Sequence, residues 1–199
     1  MDNSGKKDLR TLGMELSRAL EGRGEGWRVA DGAEFDRVTL EAANGAAFTL
    51  WGSRYDHRLG VSGRFPMDAG KMMSARDWGV IRYDEKAPEI TVSRSRDALV
   101  MARDIATRFL TRYMPLYAEA LAKKGFRGDE RNRRDALARK LAEILGVSPR
   151  QFQGEADRSW TLYADGLDIT VSGAESVTVA VRCGGEFAEK LTRFYRDNV

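Results

Sequence analysis

The chain holds one cysteine, Cys183, and one histidine, His57, in 199 residues. A lone cysteine excludes an intrachain disulfide and points to a reducing compartment. Together the two residues fall short of the four clustered ligands of a structural zinc site. A serine triad would need His57 with Ser53 and Asp56, yet no Gly-x-Ser-x-Gly elbow occurs. His57 reads as a polar residue of a hairpin turn, and Cys183 as a small apolar residue at a strand end.

Phosphate loops are also missing. Gly22-Arg23-Gly24-Glu25-Gly26 lies between a helix and a strand, the reverse of the dinucleotide order, and Glu25 would repel phosphate. Gly70-Lys71 lacks the upstream glycine of a P-loop and is followed by Met72. Asp84-Glu85-Lys86 precedes Pro88 in a loop and not on a nuclease-like strand, and turn chemistry accounts for Asp165-Gly166. The expectation is a protein that is not an enzyme, with no cofactor, no metal and no small-molecule substrate. An enzyme built on bare carboxylates is the remaining catalytic alternative.

No apolar run approaches the ~18 residues of a spanning helix, so no membrane association is expected. The lysines of Met1 to Lys7 have no apolar run behind them, which reads as no secretory signal. The cytoplasm of a bacterial host is the expected address. Prolines number 4 and glycines 20, so turns lean on glycine. Lys plus Arg total 33 against 30 acids, an excess too small to imply a polyanionic partner unless it is concentrated.

What is present is periodicity. Leu9, Leu12, Leu16, Ala19 and Leu20 share a helical face, and Gly22 stops that helix. Trp27 to Ala30 reads as a short strand. Arg37 to Ala43 alternates, Asn44-Gly45 follows, and Ala46 to Trp51 alternates again, which predicts a hairpin with a type I′ turn. Further strands are predicted over Leu59 to Phe65 and Glu89 to Ser93. Residues 66–88 show no clean period and read as a long loop, with a short helix near Ala69 to Arg76 and either a partner-binding or a lid-like role. Ser95 is the expected N-cap of the longest helix, whose stripe runs Leu99, Ala102, Ile105, Ala106, Phe109, Leu110 and Tyr113. Pro115 is expected to break or kink it before a second piece, through Tyr117 and Leu121, reaches Lys124.

Gly125 to Gly128 is the candidate boundary. It divides residues 1–125 from a smaller subdomain, 126–199. The second part opens with a helix from Asp129 to Leu145, striped by Leu137, Leu141, Ile144 and Leu145. Strands follow at Trp160 to Ala164, Leu167 to Ser172 and Val177 to Cys183, then a final helix with Phe187, Leu191, Phe194 and Tyr195 inward. The predicted class is α+β, two helix–antiparallel strands–helix halves with helices packed on one face of the sheets.

Charge is concentrated in one stretch. From Arg54 to Arg112 twelve basic residues face eight acidic ones. Arg54, Arg58, Arg64, Arg76 and Arg82 interleave with Tyr55, His57, Trp78 and Tyr83, and Arg108 and Arg112 lie one helical turn apart. Arginine grips phosphate and aromatics stack on unpaired bases, so these residues form a candidate nucleic-acid or partner-binding surface. The structural alternative is a solvated face whose arginine stems cover apolar surface, with Asp104 pairing Arg108.

Two resemblances bear on context. The helix–three strands–helix order after Phe126 is similar to the double-stranded-RNA-binding domain, but Gly184-Gly185-Glu186 stands where that family carries lysines. The segments Ser62-Gly63-Arg64-Phe65-Pro66 and Glu89-Ile90-Thr91-Val92-Ser93, with Arg96-Asp97-Ala98 and Ala102 to Leu110 and then Tyr113 and Pro115, resemble uncharacterised proteins of bacteriophages and other mobile elements. That resemblance implies a phage or plasmid setting and brings no site residues. The expected function is a non-catalytic binding protein that associates with nucleic acid through the arginine–aromatic surface. The alternative is an inhibitor that binds a host defence complex.

Overall fold

The computed structural model describes residues 8–21, 26–31, 36–52, 57–151, 159–164 and 166–182, together with 185, 188, 189, 192 and 193. The chain divides into two compact units, Met1–Lys124 and Gly125–Val199. Helices and two antiparallel sheets make it an α+β protein.

In the first unit, helix α1 (Leu9–Glu21) precedes five strands, β1 (Arg28–Val29), β2 (Arg37–Glu41), β3 (Ala47–Trp51), β4 (Arg58–Arg64) and β5 (Glu89–Ser93). The strands form one antiparallel sheet in sequence order. Alternation divides its faces. Val38, Leu40, Phe48, Leu50, Leu59, Val61 and Val92 point inward and are buried with α1 and the long helix. Close approach is built in, because a Cβ at Gly13 of α1 would lie 2.7 Å from Val38.

The β2–β3 hairpin lies where predicted, but its turn differs. Gly45 alone takes positive φ, at 83°, and Asn44 does not. Gly45 N–H donates to the Ala42 carbonyl and Ala42 N–H to the Ala46 carbonyl. This is a three-residue loop that ends in a left-handed glycine, not a type I′ turn. The Asn44 side chain accepts from Ala46 N–H at 3.0 Å.

The long helix is capped by Asp97, not Ser95. The Asp97 carboxylate accepts from Leu99 N–H at 2.8 Å. Helix α2 (Ala98–Asp104) widens into a π turn (Ile105–Leu110) and continues as α3 (Thr111–Leu145). The Thr111 hydroxyl is shared between the Ala106 and Thr107 carbonyls at the end of the wide turn. Pro115 lies inside α3 and does not end it. Leu99 is exposed, so the inward stripe starts at Met101 and Ala102 and runs on through Ile105, Phe109, Tyr113 and Tyr117.

No helix break marks Gly125 to Gly128, because α3 passes through both glycines. A Cβ at either would meet nothing within 4 Å. Gly is about 1 kcal/mol worse than Ala in an exposed helix interior. Gly125→Ala with Gly128→Ala is therefore expected to raise stability by roughly 2 kcal/mol. Urea denaturation followed by circular dichroism would read this as a higher midpoint.

In the second unit, α3 residues Ala138 and Ala142 pack on Leu162, Ile169 and Val171. The inward face is thus centred on alanines and not on Ile144, which is exposed. Small side chains let the helix lie close to the sheet. That sheet has four strands, β6 (Arg150–Gln151), β7 (Trp160–Ala164), β8 (Leu167–Val171) and β9 (Val177–Val181), one more than expected. Trp160 Nε1–H donates to Asp135 at 2.8 Å, and Arg182 pairs with Asp168 at 2.9 Å. Residues 185, 188, 189, 192 and 193 are helical, while Phe187, Leu191, Phe194, Tyr195, Cys183 and Asp165 lie outside the described residues.

Candidate nucleic-acid interface

The predicted arginines do not share one surface. Arg54 and Tyr55, with Ser53 and Asp56, lie outside the described residues. Arg58 and Arg64 open and close β4 on the sheet face opposite the core. Arg108 and Arg112 stand on the exposed side of the helix, one residue before the buried Phe109 and Tyr113. Since Phe109 and Tyr113 pack on the inner face of the sheet, the two arginines point away from it. Asp104 pairs with Arg96 at 2.7 Å and not with Arg108.

The 66–88 segment carries its own cluster. The Arg76 guanidinium lies 4.8 Å from the Tyr83 ring centroid and donates to the Glu85 carbonyl. Arg82 N–H donates to the Glu85 carboxylate. The Asp77 carboxylate accepts from Ser74 N–H, which holds its pKa below the ordinary carboxylate value. No helix forms near Ala69 to Arg76; Asp68 and Lys71 bridge instead around left-handed Ala69 and Gly70. Trp78, expected either to meet a partner or to fold back over the core as part of a lid, is buried. Its Nε1–H donates to the Pro66 carbonyl at 2.9 Å, and the residue belongs to the core cluster, as do Phe65, Ala75 and Val80. Trp78 therefore anchors the segment and cannot present itself to a partner.

A different surface emerges from the strand register. On the outer face, Arg37, Trp51, Gly60 and Thr91 form one row across β2 to β5. Arg58 and Ser93 form the next. Thr39 and Thr49 share a hydrogen bond at 3.0 Å in the row on the other side. Trp51 lies flat on Gly60, where a Cβ would come within 2.3 Å of its Cε2 and 2.5 Å of its Cζ2. Trp51 remains 44% exposed. Asp36 sits 3.8 Å from Arg37 and takes part of its field. Among the described residues no carboxylate pairs with Arg58. Further along the same face, the Arg64 guanidinium touches Met72 Sδ at 3.7 Å.

The inner side fixes this face in place. The Tyr113 hydroxyl accepts from Ala47 N–H and lies 2.8 Å from the Ala47 carbonyl and 2.5 Å from the Arg64 carbonyl. It bridges the rung where β3 meets β4. Burial pushes its pKa well above the ordinary tyrosine value, so it stays a donor. Its ring runs over Gly63, stacks on Phe109 and meets Phe65 edge-on.

Trp51 was missed by sequence reasoning, which placed it only at the end of a strand. The signal was its odd position in β3, out of phase with Phe48 and Leu50. Among the described residues no three His, Cys, Asp or Glu side chains are grouped to hold a metal ion. No helix among them is long and apolar enough to cross a membrane. No family model, no curated protein and no solved structure matches the chain.

Proposed function

We propose that this is a non-catalytic binding protein that takes single-stranded nucleic acid on the outer face of its five-stranded sheet. The supporting observation is Trp51, half exposed and laid flat on Gly60 with Arg37 across from it on β2 and Arg58 two residues from Gly60 along β4. A flat aromatic on an open sheet offers a base a stacking surface, and flanking guanidinium groups meet the phosphates. The readings of a cytoplasmic setting and of a phage or mobile-element origin rest on sequence alone.

Titration of fluorescein-labelled oligo(dT) and oligo(U) tests the proposal. Stacking is worth about 1–3 kcal/mol per base, so Trp51→Ala is expected to weaken binding roughly ten- to hundredfold. Phosphate contacts by Arg37, Arg58 and Arg64 predict a log K against log salt slope of about −2. Arg108→Ala with Arg112→Ala should leave affinity nearly unchanged. Absence of binding at low salt, or equal loss from both sets of changes, would sink the proposal.

A second reading draws on the exposed Met67, Met72 and Tyr83 of the 66–88 segment. Adaptable methionines beside an aromatic suit a protein partner, such as a host defence complex. Capture of such a complex that is lost in Met72→Ala with Tyr83→Ala, but kept in Trp51→Ala, would favour it.

A further inference from the structure

Among the described residues, four strands form the edges of the two sheets: β1, β5, β6 and β9. The first three carry charge, namely Arg28 on β1, Glu89 on β5 and Arg150 on β6. Charge on an edge is the usual guard against unwanted strand pairing. The sequence of β9, Val177-Thr178-Val179-Ala180-Val181, has none.

The exposed groups of β9 follow from its pairing with β8. Ser172 N–H donates to the Ser176 carbonyl at one end, and Arg182 N–H to the Gly166 carbonyl at the other. Bonding alternates along an antiparallel pair. Residues 178 and 180 therefore turn their backbone toward β8, opposite Thr170 and Asp168. Val177, Val179 and Val181 turn theirs outward.

The side chains of those three valines lie on the core face. They stand opposite Val171, Ile169 and Leu167 in register. Ile169 and Val171 are buried, yet Val177 is 38% and Val179 53% exposed. The apolar row thus runs past the cover of α3 and ends uncovered at the edge.

We propose that β9 is a homodimer interface, pairing antiparallel with β9 of a second copy about a two-fold axis at Val179. In this register Val179 faces its own symmetry mate, and Val177 faces Val181. The outward donors and acceptors then meet reciprocally, and one eight-stranded sheet results. All the valines fall on the same side, so their uncovered surface joins into one apolar strip. A self-pairing segment must avoid like charges, which the composition of β9 does. The pairing consumes the edge it uses, so the assembly closes at two copies.

Light scattering on the eluting full-length protein tests this. The expected mass is twice the 22.3 kDa of the chain, and it should be insensitive to salt. Val179→Lys puts two cations face to face on the axis and is expected to give a monomer of unchanged circular dichroism, since the side chain is exposed. Val179→Cys in a Cys183→Ser background is expected to cross-link on oxidation. Paired residues of this kind have Cα atoms about 5.5 Å apart, within disulfide reach. A monomeric native protein, or a dimer that persists in Val179→Lys and fails to cross-link through position 179, would overturn the proposal.

Discussion

Trp78→Ala is expected to lower folding stability by about 3–5 kcal/mol, the cost of removing a large buried aromatic. The indole is only 1% exposed, and its N–H holds the Pro66 carbonyl. Truncation would open a cavity in the core cluster that the ring belongs to and remove the donor that the Pro66 carbonyl accepts from. Trp78→Phe would refill much of the cavity without restoring the bond, so it should fall between the two. Urea denaturation measures both. Limited proteolysis adds a local readout, because the segment is tied down by this ring and should be cut between Pro66 and Pro88 once the ring is gone. Unchanged stability in Trp78→Ala would mean that the ring does not anchor the segment.

Gly63→Ala is expected to cost about 3 kcal/mol, at the upper end of the range for overpacking a core. The added Cβ would lie 2.3 Å from both Cδ2 and Cε2 of Tyr113. That ring cannot step aside. Phe109 stacks on it, Phe65 meets its edge, and its hydroxyl is held at Ala47 and Arg64. The damage should be coupled to the ring itself. Tyr113→Ala is severe alone, but adding Gly63→Ala to it should cost far less than in the native background. A double-mutant cycle in which the two losses add within about 0.5 kcal/mol would show that the contact is not what makes Gly63 necessary.

Much of the fold could be read from periodicity, and the candidate site could not. Alternation at Val38, Leu40, Phe48 and Leu50 located the strands, because one buried face imposes a period of two. Turn type was harder. Asn-Gly fits two hairpin geometries, and the side-chain bond from Asn44 to Ala46 N–H accompanies the longer one. The helix stripes were read from large apolar residues, whereas close packing on the second sheet uses Ala138 and Ala142. The absence of period in 66–88 left a partner-binding loop and a lid of Met72, Trp78 and Ile81 over the core as the two readings; Trp78 is buried and Ile81 packs on the core as in the second, while Met72 stays exposed. The arginines were grouped by nearness in sequence. Their faces follow instead from parity in β4 and from helical phase, which set Arg58 and Arg108 on opposite sides of the layer. Recognising Trp51 on Gly60 required the register of three adjacent strands, which no single segment contains.

The wide turn at Ile105–Leu110 has a consequence for chain length. Ile105, Phe109, Tyr113 and Tyr117 are spaced by fours, and in an unbroken α-helix they would drift by about 120° around the axis. The π turn holds one more residue per loop and absorbs much of that drift. A chain shorter by one residue there would still lay its flanking turns on the same sheet. The turn is therefore a place where the chain could lose one residue without refolding the domain.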